Sequence, residues 1–593
     1  RLSRSGLDCV VLGLALASWV AGGRAAGLRA GDEAPVGSLT PELCAAEGGA
    51  KAAAAARGTL DAATARMVRE DGSGPFVGYA DGVLALTADN TTGMVLGGGS
   101  NPSGYYMTYI FDANASLGPG ACDELERGPE QSPGVVCHPL GADEVVEAVQ
   151  IFFLGPSDAV VFHGCTPPPV HYFGWDMYIN ERMEEDFIFY PGTNFGDTLS
   201  IHDVNTAADD VYDQPAVVIH TADGQASRTV SDAFEQVGVD TTSISTHALN
   251  AHELRFFNRS QTWEDSRPDV LFMLQRVTEP FPGYEEAYER YKVARFPVRI
   301  FFGPRGEPAR EPLAPVPVSR ETDPSLGLPT EVELLSDPVE DLKEAVKEAM
   351  TERGAHFKGA TTVTLDQSGY YDDWDTVLAA QSNDSYIIPT RDAGYGSPLH
   401  VMGDVNMTNT TGLVLVGVVH TKNGTRTQAR FSSLGLDVFL DAPCNGTECL
   451  VRNVHYTQWI THSEVSGSAE RYLPDDDLVD HLFAVDFLPH GACETNGWAS
   501  DWCYEFGKGA FVTTSPGSFI PILGERIYCL YNTGVGGSAL ESITVYGLIF
   551  DLSEASLIEG AGSGPAQTER RRHGPRGRTA APGSLRGRGG IER

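Results

Sequence analysis

Between residues 158 and 178 the chain reads DAVVFHGCTPPPVHYFGWDMY, and side chains able to bind or react crowd into that stretch. His163, Cys165 and His171 are two imidazoles and a thiol, the donors that hold zinc-like metals when about three converge and leave one position open. Tyr172, Trp175 and Asp176 set aromatic faces beside a carboxylate, which suits sugars or quaternary amines. The plain alternative is that the rings fill a core and the histidines are hydrogen-bonded packing residues.

Further along comes Asn194-Phe-Gly-Asp-Thr-Leu-Ser200, followed by His202. A hydroxyl attacks only beside a positioned base, so Thr198 or Ser200 would need Asp197 together with His202 or His171. The string resembles the first block of the SGNH hydrolases, Gly-Asp-Ser-Leu, in which a serine after a strand attacks an ester carbonyl and an Asp-x-x-His pair supplies the base. The likeness covers six residues. This chain departs from the pattern in having Thr198 at the nucleophile position and no Asp-x-x-His before any of its 15 histidines. A polar turn in which Asp197 caps backbone amides is the structural alternative.

Two acidic runs, Asp372-Asp373 with Asp375 and Asp475-Asp476-Asp477 with Asp480, offer oxygens to calcium or another divalent cation. Neither has the EF-hand spacing, and exposed acidic turns account for both. The formal charge of −38 over 593 residues is unevenly held: residues 569–593 carry eight arginines against two glutamates, so the body is more acidic still. Such a body repels phosphate backbones, which argues against nucleic acid and for divalent cations, basic partners or a saline exterior.

Compartment follows from three signals. Arg1 and Arg4 precede an apolar run at 7–20 and the small residues Ala21-Gly22-Gly23, the layout of a secretory signal peptide over residues 1–23. Asn90, Asn114, Asn258, Asn383, Asn406, Asn409, Asn423 and Asn445 each head an Asn-X-Ser/Thr glycosylation triplet. Beyond Cys9 there are nine cysteines, an odd number; Cys122 with Cys137, Cys444 with Cys449 and Cys493 with Cys503 are local disulfide candidates, and Cys44 or Cys165 is the expected free or intermolecular thiol. No later run reaches the ~18 apolar residues of a transmembrane helix.

The elements that must position these groups are read from periodicity. Apolar runs at 82–87, 105–111, 159–162, 186–190, 216–220, 269–277 and 298–302 predict strands, with 172–178 a rigid loop beside one of them. Helical spacing over 227–237, between 216–220 and 243–249, predicts a βαβ unit. Seven prolines in 304–329 mark a linker, after which Asp337, Pro338 and Glu340 are expected to start a bracing helix with Leu342, Val346, Ala349 and Met350 on its apolar face.

The expected fold is α+β or mixed α/β, two tandem β-rich domains with the βαβ insert in the first. Short matches of 159–164 with 413–417, 269–272 with 480–483 and 300–302 with 548–550 raise an internal duplication, with convergent strand composition as the alternative. The plan is a signal peptide (1–23), a low-complexity lead-in lacking an amphipathic stripe (24–74), domain one (75–303), linker (304–336), bracing helix (337–353), domain two (354–552) and a disordered Arg/Gly-rich tail (553–593). The predicted function is a secreted glycoprotein binding an extracellular protein or glycan, without nucleic acid and without a transmembrane segment. The alternative is a secreted ester or glycan hydrolase with its site in the 163–202 region.

Overall fold

The computed structural model describes residues 39–553 apart from 87–103, 113–137, 363–394, 402–409, 441–453, 506–518, 531–540 and stretches of seven residues or fewer; the expected signal peptide and arginine-rich tail lie outside it. It opens with helices α1 (Pro41–Glu47) and α2 (Ala50–Met67), which corrects the expectation of a stripe-less lead-in. Ala52, Ala56, Thr59, Leu60, Ala63, Thr64 and Met67 share one buried face at spacings of three, four and seven. That stripe is made mostly of small residues, so large apolar side chains do not mark it. Arg299 fixes the helix to the sheet, donating to Asp61 and Asp81 at 2.8 Å each and to Thr64 Oγ1.

The strands of the first half are β1 (Gly78–Leu86), β2 (Gly104–Asp112), β3 (His138–Pro139), β4 (Glu147–Val149), β5 (Ala159–Cys165), β6 (Phe173–Met183), β7 (Ile188–Phe189), β8 (Thr193–Asn194), β9 (Leu199–Ser200), β10 (Pro215–Thr221), β11 (Ile244–Ala248), β12 (Val270–Thr278) and β13 (Pro297–Phe302). They form one sheet whose main path is β11-β10-β5-β13-β1-β2-β12-β6-β7. Only the β10–β11 pair on that path is parallel, and helix α3 (Gly224–Glu235), capped by Asp223, joins it: the expected βαβ unit is present. Residues 308–313 of the expected linker dock on this unit, with Gly224 donating to the Glu311 carbonyl and Leu313 to that of Ala222. A fourth helix, α4 (Glu285–Lys292), precedes β13.

Alternation along β5 shows why every residue in it is buried. Ala159 and Val161 join a core with Leu60, Met67, Val230 and Phe234 of α2 and α3, whereas Val160 and Phe162 join an inner core with Tyr109, Trp175 and Ile300. Gly164 is required there, because a Cβ would lie 2.6 Å from the Phe296 ring.

The second half is also built of helices and sheets. Helix α5 (Glu331–Glu352) is followed by β14 (His356–Thr362), β15 (Tyr395–Gly396), β16 (Leu399–Val401), β17 (Thr411–Val418), β18 (Ala429–Leu440), β19 (Val454–Thr461), helix α6 (His462–Val465), β20 (Leu482–Leu488), β21 (Cys503–Glu505), β22 (Phe519–Leu530) and β23 (Tyr546–Asp551). One sheet runs β14-β23-β17-β20-β21 and the other β15-β22-β18-β19. The first has the order and directions of β1-β13-β5-β10-β11, three antiparallel pairings and then a parallel one. Along β17, Val414, Val416 and Val418 pack under α5 while Leu413 and Leu415 face the other sheet. In strand order β17 falls where β5 does and β23 where β13 does, while β20 falls where β10 does and not where β12 does.

Helix α5 also begins six residues before the expected start. Thr330 caps it, accepting from Glu333 N at 3.1 Å while Glu333 accepts from Thr330 N at 2.8 Å, and Pro338 lies inside the helix. Thr330→Ala should therefore cost about 1 kcal/mol, and Asp337→Ala, at an exposed mid-helix position, less than about 0.5 kcal/mol, as compared by urea unfolding.

The halves touch where Phe431 enters the first half's core and Ser463 donates to Glu279 at 3.3 Å. Burial and the nearby Glu464 charge raise the Glu279 carboxyl to about 7 from 4.5. With its folded value raised, the contribution of Glu279 is fully present below about pH 4.5 and is lost as pH rises through about 7. Glu279→Gln should reduce the loss of stability between those limits, measured as the denaturation midpoint against pH.

Candidate functional site

The region around β5 was the expected site, and the structure commits its side chains elsewhere. Cys165 is bonded to Cys44, a bridge spanning 121 residues, which corrects the expectation that one of them is free and removes Cys165 from any ligand set. His163 is buried, donates from Nδ1 to the Ala216 carbonyl at 3.2 Å and meets the edge of Phe234; burial lowers it to about 4. His171 instead packs between Phe281 and Phe431. Among the described residues these three do not gather as metal donors.

The aromatic platform is also corrected. Tyr172 precedes β6, and Trp175 and Asp176 lie within it; all three are fully buried because this stretch is a core strand and not a loop. Trp175 packs against Phe162 and Phe173. Asp176 accepts from Arg276 Nη1 and from Thr198 Oγ1, both at 2.5 Å, and Arg276 also donates to the Tyr178 hydroxyl.

That network decides the hydrolase geometry. Thr198 gives its proton to a carboxylate already neutralised by Arg276, and no histidine adjoins it among the described contacts. Ser200 donates to Asp203 Oδ2 at 2.5 Å and accepts from His202 N–H at 3.2 Å, a local turn. His202 Nε2 accepts from Arg430 Nε at 2.9 Å, so the lone pair a general base needs is occupied; burial and the Arg430 charge lower the ring to about 4. Asp197 lies outside the described residues. Asp475-Asp476-Asp477 forms a turn in which Asp476 accepts from Leu478 N, and Asp372, Asp373 and Asp375 lie outside the described residues.

Two buried histidine centres escaped the sequence reading. In the first half β10 and β11 pair in parallel with His220 opposite His247; their Nδ1 atoms are 2.8 Å apart, and His220 Nε2 lies 2.8 Å from the Tyr109 hydroxyl. Burial and His247 hold His220 well below the usual histidine range.

The second centre lies between α5 and β22. His420, two residues beyond β17, donates from Nδ1 to Glu331 at 2.9 Å and from Nε2 to Glu525 Oε1 at 3.1 Å. Each carboxylate is held from behind, Glu331 by Ile543 N–H at 3.0 Å and Glu525 by Val545 N–H at 2.9 Å. His462, the first residue of α6, stacks on His420, and its Nε2 is 3.5 Å from Glu525 Oε1. Burial pulls His420 down, but the two carboxylates outweigh it and raise the ring to about 10; burial and that neighbouring charge lower His462. His420, His462 and Glu525 are the described residues whose ligand atoms could hold a metal, all within 4.8 Å of one another. Glu525 carries a readable signal, an acid between Leu523 and Ile527 on the inward face of an apolar strand.

No family model and no curated protein matches the chain. Among solved structures it is similar to the VPA0106 protein from Vibrio parahaemolyticus, at 9% identity and TM-score 0.27 over 67% of this chain and 87% of that one. It is also similar to an uncharacterized protein from Burkholderia cenocepacia, at 10% identity and TM-score 0.32 over 84% of this chain and 90% of that one. Likenesses this distant assign neither family nor activity, so the functional reading rests on the side-chain geometry.

Proposed function

We propose that this chain is an exported, glycosylated, non-enzymatic protein of two duplicated β-rich domains, which binds a basic extracellular partner. The observation that carries the non-enzymatic reading is the buried network of Thr198, Asp176, Arg276 and Tyr178, which uses the expected nucleophile as an internal hydrogen-bond donor. Duplication draws support from the shared order and directions of the two five-strand paths and from helices α2 and α5 covering equivalent faces.

Export draws support from disulfides Cys44–Cys165 and Cys493–Cys503, since such bonds persist in oxidising compartments. Cys122, Cys137, Cys444 and Cys449 lie outside the described residues, as do six of the eight glycosylation asparagines. Asn423 sits exposed on a turn and Asn258 half-buried in a loop, positions a glycan can reach at the first directly. No described helix is long and apolar enough to cross a membrane.

Between protein and glycan as partner, burial of Tyr172, Trp175 and Asp176 removes the residues that favoured a sugar. The net charge of −38 remains, and it favours a partner with a basic face.

Protein from a eukaryotic secretory host should yield glycopeptides at Asn423 and a disulfide-linked Cys44–Cys165 peptide pair in unreduced digests. It should retain basic polypeptides in a salt-sensitive manner and hydrolyse no ester or glycoside in a panel. Turnover that disappears in a folded Thr198→Ala or Ser200→Ala variant would establish the hydrolase instead, and unmodified asparagines with free thiols would remove export.

A further inference from the structure

We propose that His420 Nε2, His462 Nε2 and Glu525 Oε1 form a three-ligand site for a divalent transition metal, zinc in preference, with Glu331 orienting His420 from outside. This inference is independent of the partner-binding reading.

The spacing fits. Glu525 Oε1 lies 3.1 Å from His420 Nε2 and 3.5 Å from His462 Nε2. Bonds of about 2.0–2.1 Å in a tetrahedral site place neighbouring ligand atoms about 3.3 Å apart. The largest separation within the set is at most 4.8 Å; the two imidazoles are stacked, so both face one ion once one ring turns out of the stack.

The surroundings are those of a ligand site and not of an ordinary ion pair. Glu331 engages His420 through Nδ1, and the Nε2 proton that is shared with Glu525 would be released to solvent as the metal takes its place; this carboxylate–histidine arrangement is how proteins orient a metal-binding imidazole. Backbone amides of Ile543 and Val545 hold the two carboxylates in place. His462 supplies the independent observation: it is fully buried, with neither ring nitrogen hydrogen-bonded, and Nε2 is directed at Glu525. A metal bond would occupy that nitrogen. Two carboxylates buried together also call for positive charge, and one dication cancels both.

Donor chemistry selects the metal. Two imidazoles and one carboxylate suit zinc and its neighbours, whereas calcium takes six or more oxygens. The ligands arrive from the exit of β17, the start of α6 and β22, with Glu331 at the start of α5 behind His420, and all are buried. One ion would therefore cross-link three segments separated in sequence, and its role is to brace the second half.

The test titrates the full-length, chelator-stripped protein with zinc against a chromogenic competitor, and separately with cobalt. Expected are one equivalent bound, a visible cobalt spectrum of four-coordinate type, and a Tm raised by about 5 °C or more on zinc addition. Glu331→Gln should keep the stoichiometry but weaken affinity by about 10–100-fold, while His462→Ala and Glu525→Gln should abolish the cobalt spectrum. Substoichiometric binding by wild type with Tm indifferent to zinc and chelator would overturn the proposal, as would wild-type affinity in a folded His462→Ala protein. Should Glu525→Gln not fold, the wild-type titration and His462→Ala decide between these outcomes.

Discussion

A strand covered on both faces needs two layers around it, and β5 and β17 impose that requirement on their halves. Every residue of either strand is buried, and alternate side chains enter different cores. A helix closes one face, α2 over β5 and α5 over β17, and a second group of strands closes the other. At about 25 cal/mol per Å² of apolar surface removed from water, this double covering is the main source of stability available to either half. The small-residue face of α2 and the Leu335, Val339, Leu342, Val346 and Met350 face of α5 are two solutions to the same packing problem.

Such layering leaves polar side chains on inner strands without water, so each has to be matched within the protein. Arg182 meets Asp269 through two hydrogen bonds of 2.6 and 2.7 Å, Arg276 meets Asp176, and Asp158 accepts from the amides of Gly155 and Gly303. Losing one member of a buried pair costs about 3–5 kcal/mol because the other charge is left uncompensated. That constraint accounts for Asp176, Thr198 and Arg276 being joined inside the first half. Asp176 and Thr198 answer a solvation requirement, and Arg276 answers the same one from the facing strand.

What could be read from sequence follows the range of the interactions involved. Strands such as β10 and β12, and the βαβ unit, have local apolar patterns and were legible. Alanines in α2 were passed over because their stripe lacks bulk. The aromatic run at 172–178 looked like a loop after three prolines, yet its alternating pattern continues through Met183 as a strand. Helix α5 was expected to start at Asp337, but the Thr330–Glu333 capping box starts it earlier, and tertiary contacts hold that start: Glu331 N bonds Thr427 Oγ1, and Glu331 reaches His420. The His420 centre joins residues 331, 420, 462 and 525. No window along the chain holds more than one of them.

The two halves also differ at one informative place. Strand β12 carries Gln275-Arg276-Val277 and β22, in the corresponding place, carries Glu525-Arg526-Ile527. Both first residues are fully buried. Gln275 donates to the Tyr291 hydroxyl at 3.0 Å, and Tyr291 bonds the Cys165 carbonyl at 3.1 Å, so a neutral amide finds neutral partners. Glu525 has the same shape with a charge, and it meets two histidines and a backbone amide. Burying an anion is costly unless a cationic partner accompanies it, so the Glu525 carboxylate is tied to the presence of the raised His420 ring. The first half, with an amide there, closes its equivalent strand end covalently, through Cys165 and Cys44. Each half thus fastens the exit of its central strand, one by a disulfide and the other by an ionic cluster, and the identity of one side chain on the neighbouring strand is suited to which fastening it has.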